Sequence, residues 1–360
     1  MSPPTDVAVI GGGIVGCAAA AFLAEAGIRV DLYEQVEVAA GASGRNSGSV
    51  QHPFDPVLSD LHAETLRHYR DLNGFELPPE AAGVLMLARE RAVLEPSVAE
   101  VTRGSPELAP ALLSPEELRR VEPAVRPGLF GCRLDTGYPV RPAAATRAFA
   151  KRAYGAGARF HEGETAWPWV IAGRARGVLA AGVRRPAGAV LVAAGPWTPE
   201  VIDPTRSWRP IVPVWGVVAE VEMDEPPRHV LEEAGVEAVG AGGPATIFSL
   251  VPADAQVSVG STFLPEKPDA PVWAPTLRRG GERFVPGLRR GKVVGARACA
   301  RPQSLDGRPL VGEMPDQEGL WTAAGHGPWG ISAGPATARI AADALLGNAE
   351  VPAPLSVGRF

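Results

Sequence analysis

Cysteine is scarce: Cys17, Cys132 and Cys299 are the three thiols in a chain of 360 residues. Their spacing matches no metal-binding or dithiol pattern, so no metal centre is expected. An odd, sparse set suits a reducing compartment better than a disulfide framework, and the expectation is a cytoplasmic protein. Positive charge is not in excess. Lys and Arg number 35 against 40 Asp and Glu, a formal net charge of −5. That is not the basic footprint of a nucleic-acid binder. A long unbroken apolar run is also missing. Residues 7–24 carry no charge but are interrupted by Gly11, Gly12, Gly13 and Gly16. Asp6 precedes them without any Lys or Arg, unlike the basic start of a signal peptide. No integral membrane segment is expected. Internal repeats and low-complexity tracts are absent too.

What is present describes a globular chain: 46% hydrophobic and 21% charged residues. The length suggests two domains. Glycine (42) and proline (37) are abundant and spread throughout, which implies many short elements joined by turns. Three stretches read as strand, turn and helix: DVAVIGGGIVGCAAAAFLAEAG (6–27), GAVLVAAGPWTPEVI (188–202), and the segment from Gly319 through GHGPWGISAGP into ATARIAADALL. Between them lie GVLMLARE (83–90), IVPVWGVVAEVEM (211–223) and TIFSLVPADAQVSVGSTFLP (246–265), rich in β-branched and aromatic residues. In the last, PADA reads as a hairpin loop. The expected fold class is therefore α/β. A Rossmann-like nucleotide-binding domain is assembled from discontinuous segments, with an inserted mixed or antiparallel β-sheet domain. The division drawn is 1–80, 139–208 and 292–360 for the first unit, and 81–138 and 209–291 for the second.

The first turn carries Gly11, Gly13 and Gly16 in G-x-G-x-x-G spacing, with Ile14 opening the helix. The first glycine permits the tight turn, the second lets backbone approach a pyrophosphate, and the third lets helix and strand pack closely. Gly27 ends the helix and IRVDLYE forms the next strand. Its terminal Glu34 stands where a carboxylate accepts hydrogen bonds from an adenosine ribose. Strand, helix, strand and acid in this order point to a dinucleotide without separating NAD from FAD. The following loop, Ala39 to His52, holds Ser43, Gly44, Arg45, Asn46 and Ser47, suited to a second phosphate and a ring edge. The C-terminal GHGPWG turn opens another helix, and a helix N-terminus attracts negative charge.

These motifs resemble the D-amino-acid-oxidase-like flavoprotein superfamily, in its glycine oxidase and sarcosine oxidase branch. The resemblance covers nearly the whole chain. It rests on VAVIGGGIVG…YE, ASGRNSG, LDTGYPVRPAAATRAFAKRAYGAGARF, VLVAAGPWTPEV, VSVGSTF and RPQSLDGRPLVGEMP…GLWTAAGHGPWGISAGPATARIAADAL. It implies an FAD-binding domain of the glutathione-reductase type and FAD bound in extended form without a covalent link. Ala194, Gly195 and Trp197, and Gly327, Trp329, Gly330 and Ile331, join the cofactor site on this resemblance. The N-terminal helix would take the pyrophosphate. The turn at Gly330 and Ile331 would meet the pyrimidine edge of the flavin, with Pro335 suiting the first helical turn.

The resemblance further implies that Arg301, in RPQSLDGRPLVG, holds a substrate carboxylate through its planar fork. Arg297 and Arg308 are its decoys. His326 lies near the flavin, as a space-filling ring or a proton carrier. His52 lines the substrate cavity or caps a turn. Trp215 and Trp329 shape the pocket or fill the core. His62, His68, His161 and His229 belong to no constellation and are expected to be solvated. LRRGGERFVPGLRR reads as a wetted face. The implied reaction is FAD-dependent oxidation of a small carboxylate-bearing amine: hydride passes from the α carbon to flavin N5, and the imine hydrolyses. Oxygen or another acceptor would reoxidise the flavin. Sarcosine oxidases carry a lysine where this sequence places Ser258, which counts against that activity and leaves oxygen reactivity open. Cys299 reads as a buried inert thiol. Three alternatives stand. They are an FAD-dependent 2-hydroxy-acid dehydrogenase, suggested by RNSGSVQH; an accessory flavoprotein subunit; and an NAD-dependent dehydrogenase, which the C-terminal return disfavours. Oligomeric state is not legible.

Overall fold

The computed structural model describes residues 5–234, 246–253 and 255–360. The chain opens with β1 (Thr5–Ile10), α1 (Ile14–Glu25) and β2 (Val30–Glu34), then a one-turn α2 (Ala42–Arg45), β3 (Ser49–Val50) and α3 (Pro56–Arg70). It continues through β4 (Val84–Ala88), α4 (Arg91–Gly104), β5 (Ala111–Leu113), α5 (Pro115–Val121) and β6 (Phe130–Leu134). Next come β7 (Tyr138–Pro139), α6 (Ala144–Gly155), β8 (Arg159–Glu162), β9 (Ala166–Ile171), β10 (Arg174–Ala180), β11 (Val183–Val192) and α7 (Thr198–Ile202). Then follow β12 (Ile211–Glu222), β13 (Val230–Glu233), β14 (Thr246–Ala253), β15 (Gln256–Thr262) and α8 (Ala270–Gly281). The last elements are β16 (Lys292–Ser304), β17 (Leu310–Glu313), β18 (Leu320–Ala324) and α9 (Gly330–Leu345).

These strands form two large sheets. The first has the order β17-β18-β11-β1-β2-β8, with β18, β11, β1, β2 and β8 parallel. Its central strands are apolar because both faces are covered; Ala8, Val9, Leu32, Val190, Leu191 and Val192 are fully buried. Helix α1 is buried almost all round, and its Ala18–Ala21 run allows close approach to α6 and α9. The second sheet has the order β16-β12-β15-β14-β13-β4-β6-β5. It is antiparallel except for the β13–β4 pair, and α8 packs on it through Ala274 and Leu277. No helix among the described residues is long and apolar enough to cross a membrane.

The α/β fold class expected from the sequence is the one observed. Strand β16, however, pairs with β12 from Ser304↔Ile211 to Lys292↔Glu222 and so belongs to the second sheet. The segment expected to open the first unit at residue 292 thus begins with a strand of the second sheet. We propose the same two units with that boundary moved past Ser304. The hairpin expected at PADA joins β14 to β15, but Pro252 and Ala253 stay in the ladder, opposite Val257 and Gln256. Asp254 lies outside the described residues.

Helix α9 differs from expectation at one point. Pro335 sits in its second turn, not its first. Proline has no N–H, so the carbonyl four residues earlier, at Ile331, loses its helical donor. The hydroxyl of Tyr69 on α3 donates to that carbonyl at 2.6 Å. Tyr69 is fully buried, so no water can substitute. Tyr69→Phe should destabilise the fold by roughly 1–3 kcal/mol, because it leaves a buried acceptor unmade. Urea unfolding measures this, and an unchanged midpoint would contradict the role assigned to the hydroxyl.

Candidate active site

Strands β1 and β18 lie on either side of β11, and each runs into a turn and a helix. Both turns consequently open at the same, carboxyl edge of the parallel sheet, where ligands of such folds bind. A cavity of about 810 Å³ runs from Glu34 past both turns to Arg301 and the second sheet.

The first turn is shaped by contact distances that only glycine allows. Gly11 has φ +116°, and a Cβ there would lie 2.4 Å from the Ala193 carbonyl oxygen. A Cβ on Gly16 would lie 2.0 Å from the Gly11 carbonyl oxygen, so this residue serves packing and is not on the cavity wall. Gly13 faces the cavity, and a Cβ there would meet only Ser43 Oγ, at 3.2 Å. Ser43 Oγ accepts the Ile14 N–H at 2.9 Å, and Glu34 accepts the N–H groups of Gly12 (2.7 Å) and Val36 (3.0 Å). The acid is thus oriented at the cavity edge before any ligand arrives.

The loop after β2 also reaches the cavity through Ser43, Arg45, Asn46 and Ser47. Asn46 holds it in shape, donating to the Ala42 and Ser43 carbonyls and accepting from Gly48 N–H. Gly44 is not on the wall; a Cβ there would strike the Ala39 carbonyl oxygen at 2.1 Å. Ala194, Gly195 and Trp197 line the same cavity from the end of β11.

The second turn brings Gly327, Trp329, Gly330 and Ile331 to the wall. A Cβ on Gly330 would meet nothing within 4 Å, so its backbone faces open space. Beneath it, Gly334 packs against Ile14 and Val15, which sets the starts of α9 and α1 side by side. His326 is buried at the cavity wall with Nε2 unpartnered. Burial pushes its pKa down to about 4, so the ring is neutral at neutral pH.

Arg301 enters from β16. Its guanidinium donates to the Thr262 carbonyl at 3.0 Å and to Ser261 Oγ, and stacks 4.5 Å from the Phe263 ring centroid. Burial lowers its pKa, yet the group stays charged at neutral pH. Among the described residues it has no carboxylate partner. Val214 on β12 is opposite Arg301, and Gly216, two residues on, makes room: a Cβ there would lie 2.5 Å from the guanidinium. The decoys are occupied. Arg297 pairs with Glu220 and also donates to the Asn46 carbonyl and to Ser258, while Arg308 pairs with Asp55.

A family model described as FAD dependent oxidoreductase, abbreviated DAO, matches residues 6–344. The chain belongs to this family. It is 27% identical to the glycine oxidase of Bacillus licheniformis, over 95% of its own length and 93% of that protein. It is also 27% identical to the glycine oxidase of Pseudomonas aeruginosa, over 97% of each. The glycine oxidase structure from Bacillus cereus ATCC 14579 superposes with a TM-score of 0.83 at 23% identity, over 96% of each chain, a likeness of fold. The cofactor of this oxidoreductase is FAD, and the cavity fits it. The bare backbone at Gly13 and Gly330 leaves two cradles that side chains would fill.

Several sequence-based expectations need correction. His52 does not line the cavity. It is buried, packed edge-on against His62 at 5.4 Å, with its Nε2 3.7 Å from Glu107. Alternation along the short β3 segment gives the cavity to Gln51 instead. The other histidines are not solvated: His62 is buried, His68 packs on Phe22, His161 bonds Asp31 and His229 bonds Glu122. Ser258 is buried against Arg297 and off the cavity wall. Cys299 does line the cavity, with burial raising its thiol pKa. Sequence reading passed over Gln51, Gly216, Ser261, Phe263 and Glu232. The VGSTF motif holds two of them; the others carry no local signal.

Burial also lowers the pKa of His62 to about 4, helped by nearby His52 and opposed by a hydrogen bond with the Ser332 backbone. An unfolded chain takes up protons on His62 and His326 below about pH 6.5, while the folded chain refuses them until about pH 4. Stability should therefore fall as pH drops through that window. His62→Gln should flatten the fall, read as urea midpoints at pH 7 and pH 4.5. An equal loss in both proteins would contradict this origin.

Proposed function

We propose that this FAD-dependent oxidoreductase oxidises a small amine or amino acid bearing a carboxylate, in the manner of a glycine oxidase. One observation carries the reading. Arg301 is a half-buried guanidinium on the cavity wall, and among the described residues two of its five N–H donors are engaged. A partly desolvated cation without an anion is costly, and a substrate carboxylate supplies a partner through two parallel hydrogen bonds. The names of the curated relatives, both glycine oxidases, support the same substrate class.

The first turn, with Gly11, Gly13 and Ile14, would hold the pyrophosphate at the start of α1, and Glu34 the ribose. The loop of Ser43, Arg45, Asn46 and Ser47, with Ala194, Gly195 and Trp197, would enclose the middle of the cofactor. Gly327, Trp329, Gly330 and Ile331 would meet the ring system, where the start of α9 favours negative charge. Bound FAD supplies a two-electron acceptor for hydride from the substrate α carbon, leaving an imine that water hydrolyses. The protein's part is placement. Arg301 fixes the carboxylate, Phe263 and Trp215 bound the cavity, and neutral His326 presents an uncharged wall.

The test is anaerobic bleaching of the purified yellow protein with D-, L- and N-methyl amino acids and with 2-hydroxy acids. Reduction by an amine supports the proposal; reduction by hydroxy acids alone, or by neither, rejects it. Arg301→Ala should keep FAD and raise the substrate requirement by about two orders of magnitude or more. A variant that bleaches at the parent concentration removes Arg301 from the carboxylate site. Gly216→Ala should also keep FAD, but displace the guanidinium and weaken acetate binding on the order of 10-fold. Spectral titration of the flavin checks this, and parental affinity would contradict it.

A further inference from the structure

The cavity that Arg301 lines also holds a carboxyl that the reading above does not use. Glu232 lies on β13 and lines the same cavity. Among the described residues its side-chain partner is Gln51, whose Nε2 donates to Oε1 at 2.9 Å. Gln51 is itself fixed, because its backbone N–H donates to Ser332 Oγ at 3.1 Å in the first turn of α9. The carboxyl is thus oriented from the end where the flavin ring system is expected. The neighbouring Glu233 is engaged elsewhere, accepting the Phe248 N–H at 3.1 Å.

Strand register relates Glu232 to Arg301. Glu232 is opposite Ser249 on β14, and Ser249 is opposite Gly260 on β15. Ser261, the next residue, receives the Arg301 guanidinium. Two strand spacings therefore separate the Glu232 backbone from the strand that holds the guanidinium, on the order of 10 Å. A guanidinium–carboxylate contact, the short span of an α-amino acid and one charge-assisted hydrogen bond of ~3 Å together fill that distance. Burial pushes the Glu232 carboxyl above the usual range, against the hydrogen bond from Gln51. A cationic nitrogen beside it would restore the charged form.

We infer that Glu232, oriented by Gln51, accepts the N–H of the substrate's amino group and sets the preference for amino acids over 2-hydroxy acids. The inference rests on Arg301 holding the carboxylate. The cavity then offers a cation and an anion to the two ends of a zwitterion. A hydroxy acid satisfies the first and leaves the half-buried carboxylate without a cationic partner.

Two isosteric ligands test this without turnover. 2-Aminoisobutyrate and 2-hydroxyisobutyrate have no hydrogen on the α carbon and differ in the amino against the hydroxyl group. Calorimetry on the FAD-loaded protein should show the amino ligand binding more tightly. Glu232→Gln should reduce that preference roughly 10- to 100-fold while leaving the affinity for the hydroxy ligand within a few-fold. Gln51→Leu should reduce it less, and it decides the matter if Glu232→Gln fails to retain FAD. Glu232→Asp should recover part of the preference. An amino ligand that binds no better than its hydroxy isostere, or not at all, overturns the inference; so does a preference that survives both substitutions. Anaerobic bleaching separates the two proposals. A parent protein with the ligand preference but no reduction by amines would reject the oxidase reading and leave Glu232 in place.

Discussion

Two helix N-termini meet at one edge of a parallel sheet, and the rest of the molecule is arranged around that meeting. Strands β1 and β18 flank β11, so the turns that follow them open on the same side. Their helices touch where Gly334 packs on Ile14 and Val15. Each helix start concentrates partial positive charge, and together they form two anion-favouring points along one cavity. A cofactor with a pyrophosphate at its middle and an electron-accepting ring at its end matches this layout.

Close approach is the means by which the layout is kept. Gly11 and Gly16 of the first turn lie at distances that no side chain would permit, with neighbouring carbonyl oxygens 2.4 and 2.0 Å from where a Cβ would stand. Helix α9 tolerates Pro335 because Tyr69 completes the hydrogen bond that the proline cannot make. The second sheet then closes the cavity. Gly216 leaves space on β12 for Arg301 to cross from β16, and the Thr262 carbonyl and Ser261 hydroxyl hold the guanidinium. Arg301 on β16 and Glu232 on β13 thus reach one cavity from separate strands of the same sheet.

Several expectations failed for a common reason. The histidines had no sequence neighbours to mark them, yet His161 and His229 found carboxylate partners far away along the chain, at Asp31 and Glu122. His52 and Gln51 are adjacent in sequence and point to different environments, because successive residues of an extended segment alternate sides. Strand β16 reads locally like part of the C-terminal nucleotide segment, and only its pairing with β12 assigns it to the other sheet.

The sequence by itself determined the features that depend on short-range geometry. These include the glycine turn and its following helix, the acid ending β2, the C-terminal turn, the α/β class and the FAD-binding family. Each is written in contiguous residues, since turn conformation and helix initiation are local events. Tertiary structure alone decided which charged groups are paired and which remain free for a ligand. Arg297, Arg301 and Arg308 are alike as sequence. Long-range register gives Arg297 and Arg308 carboxylate partners, leaves Arg301 without one among the described residues, and brings Glu232 to the same cavity. The two arginine–carboxylate pairs join residues 77 and 253 positions apart, and no local pattern encodes them.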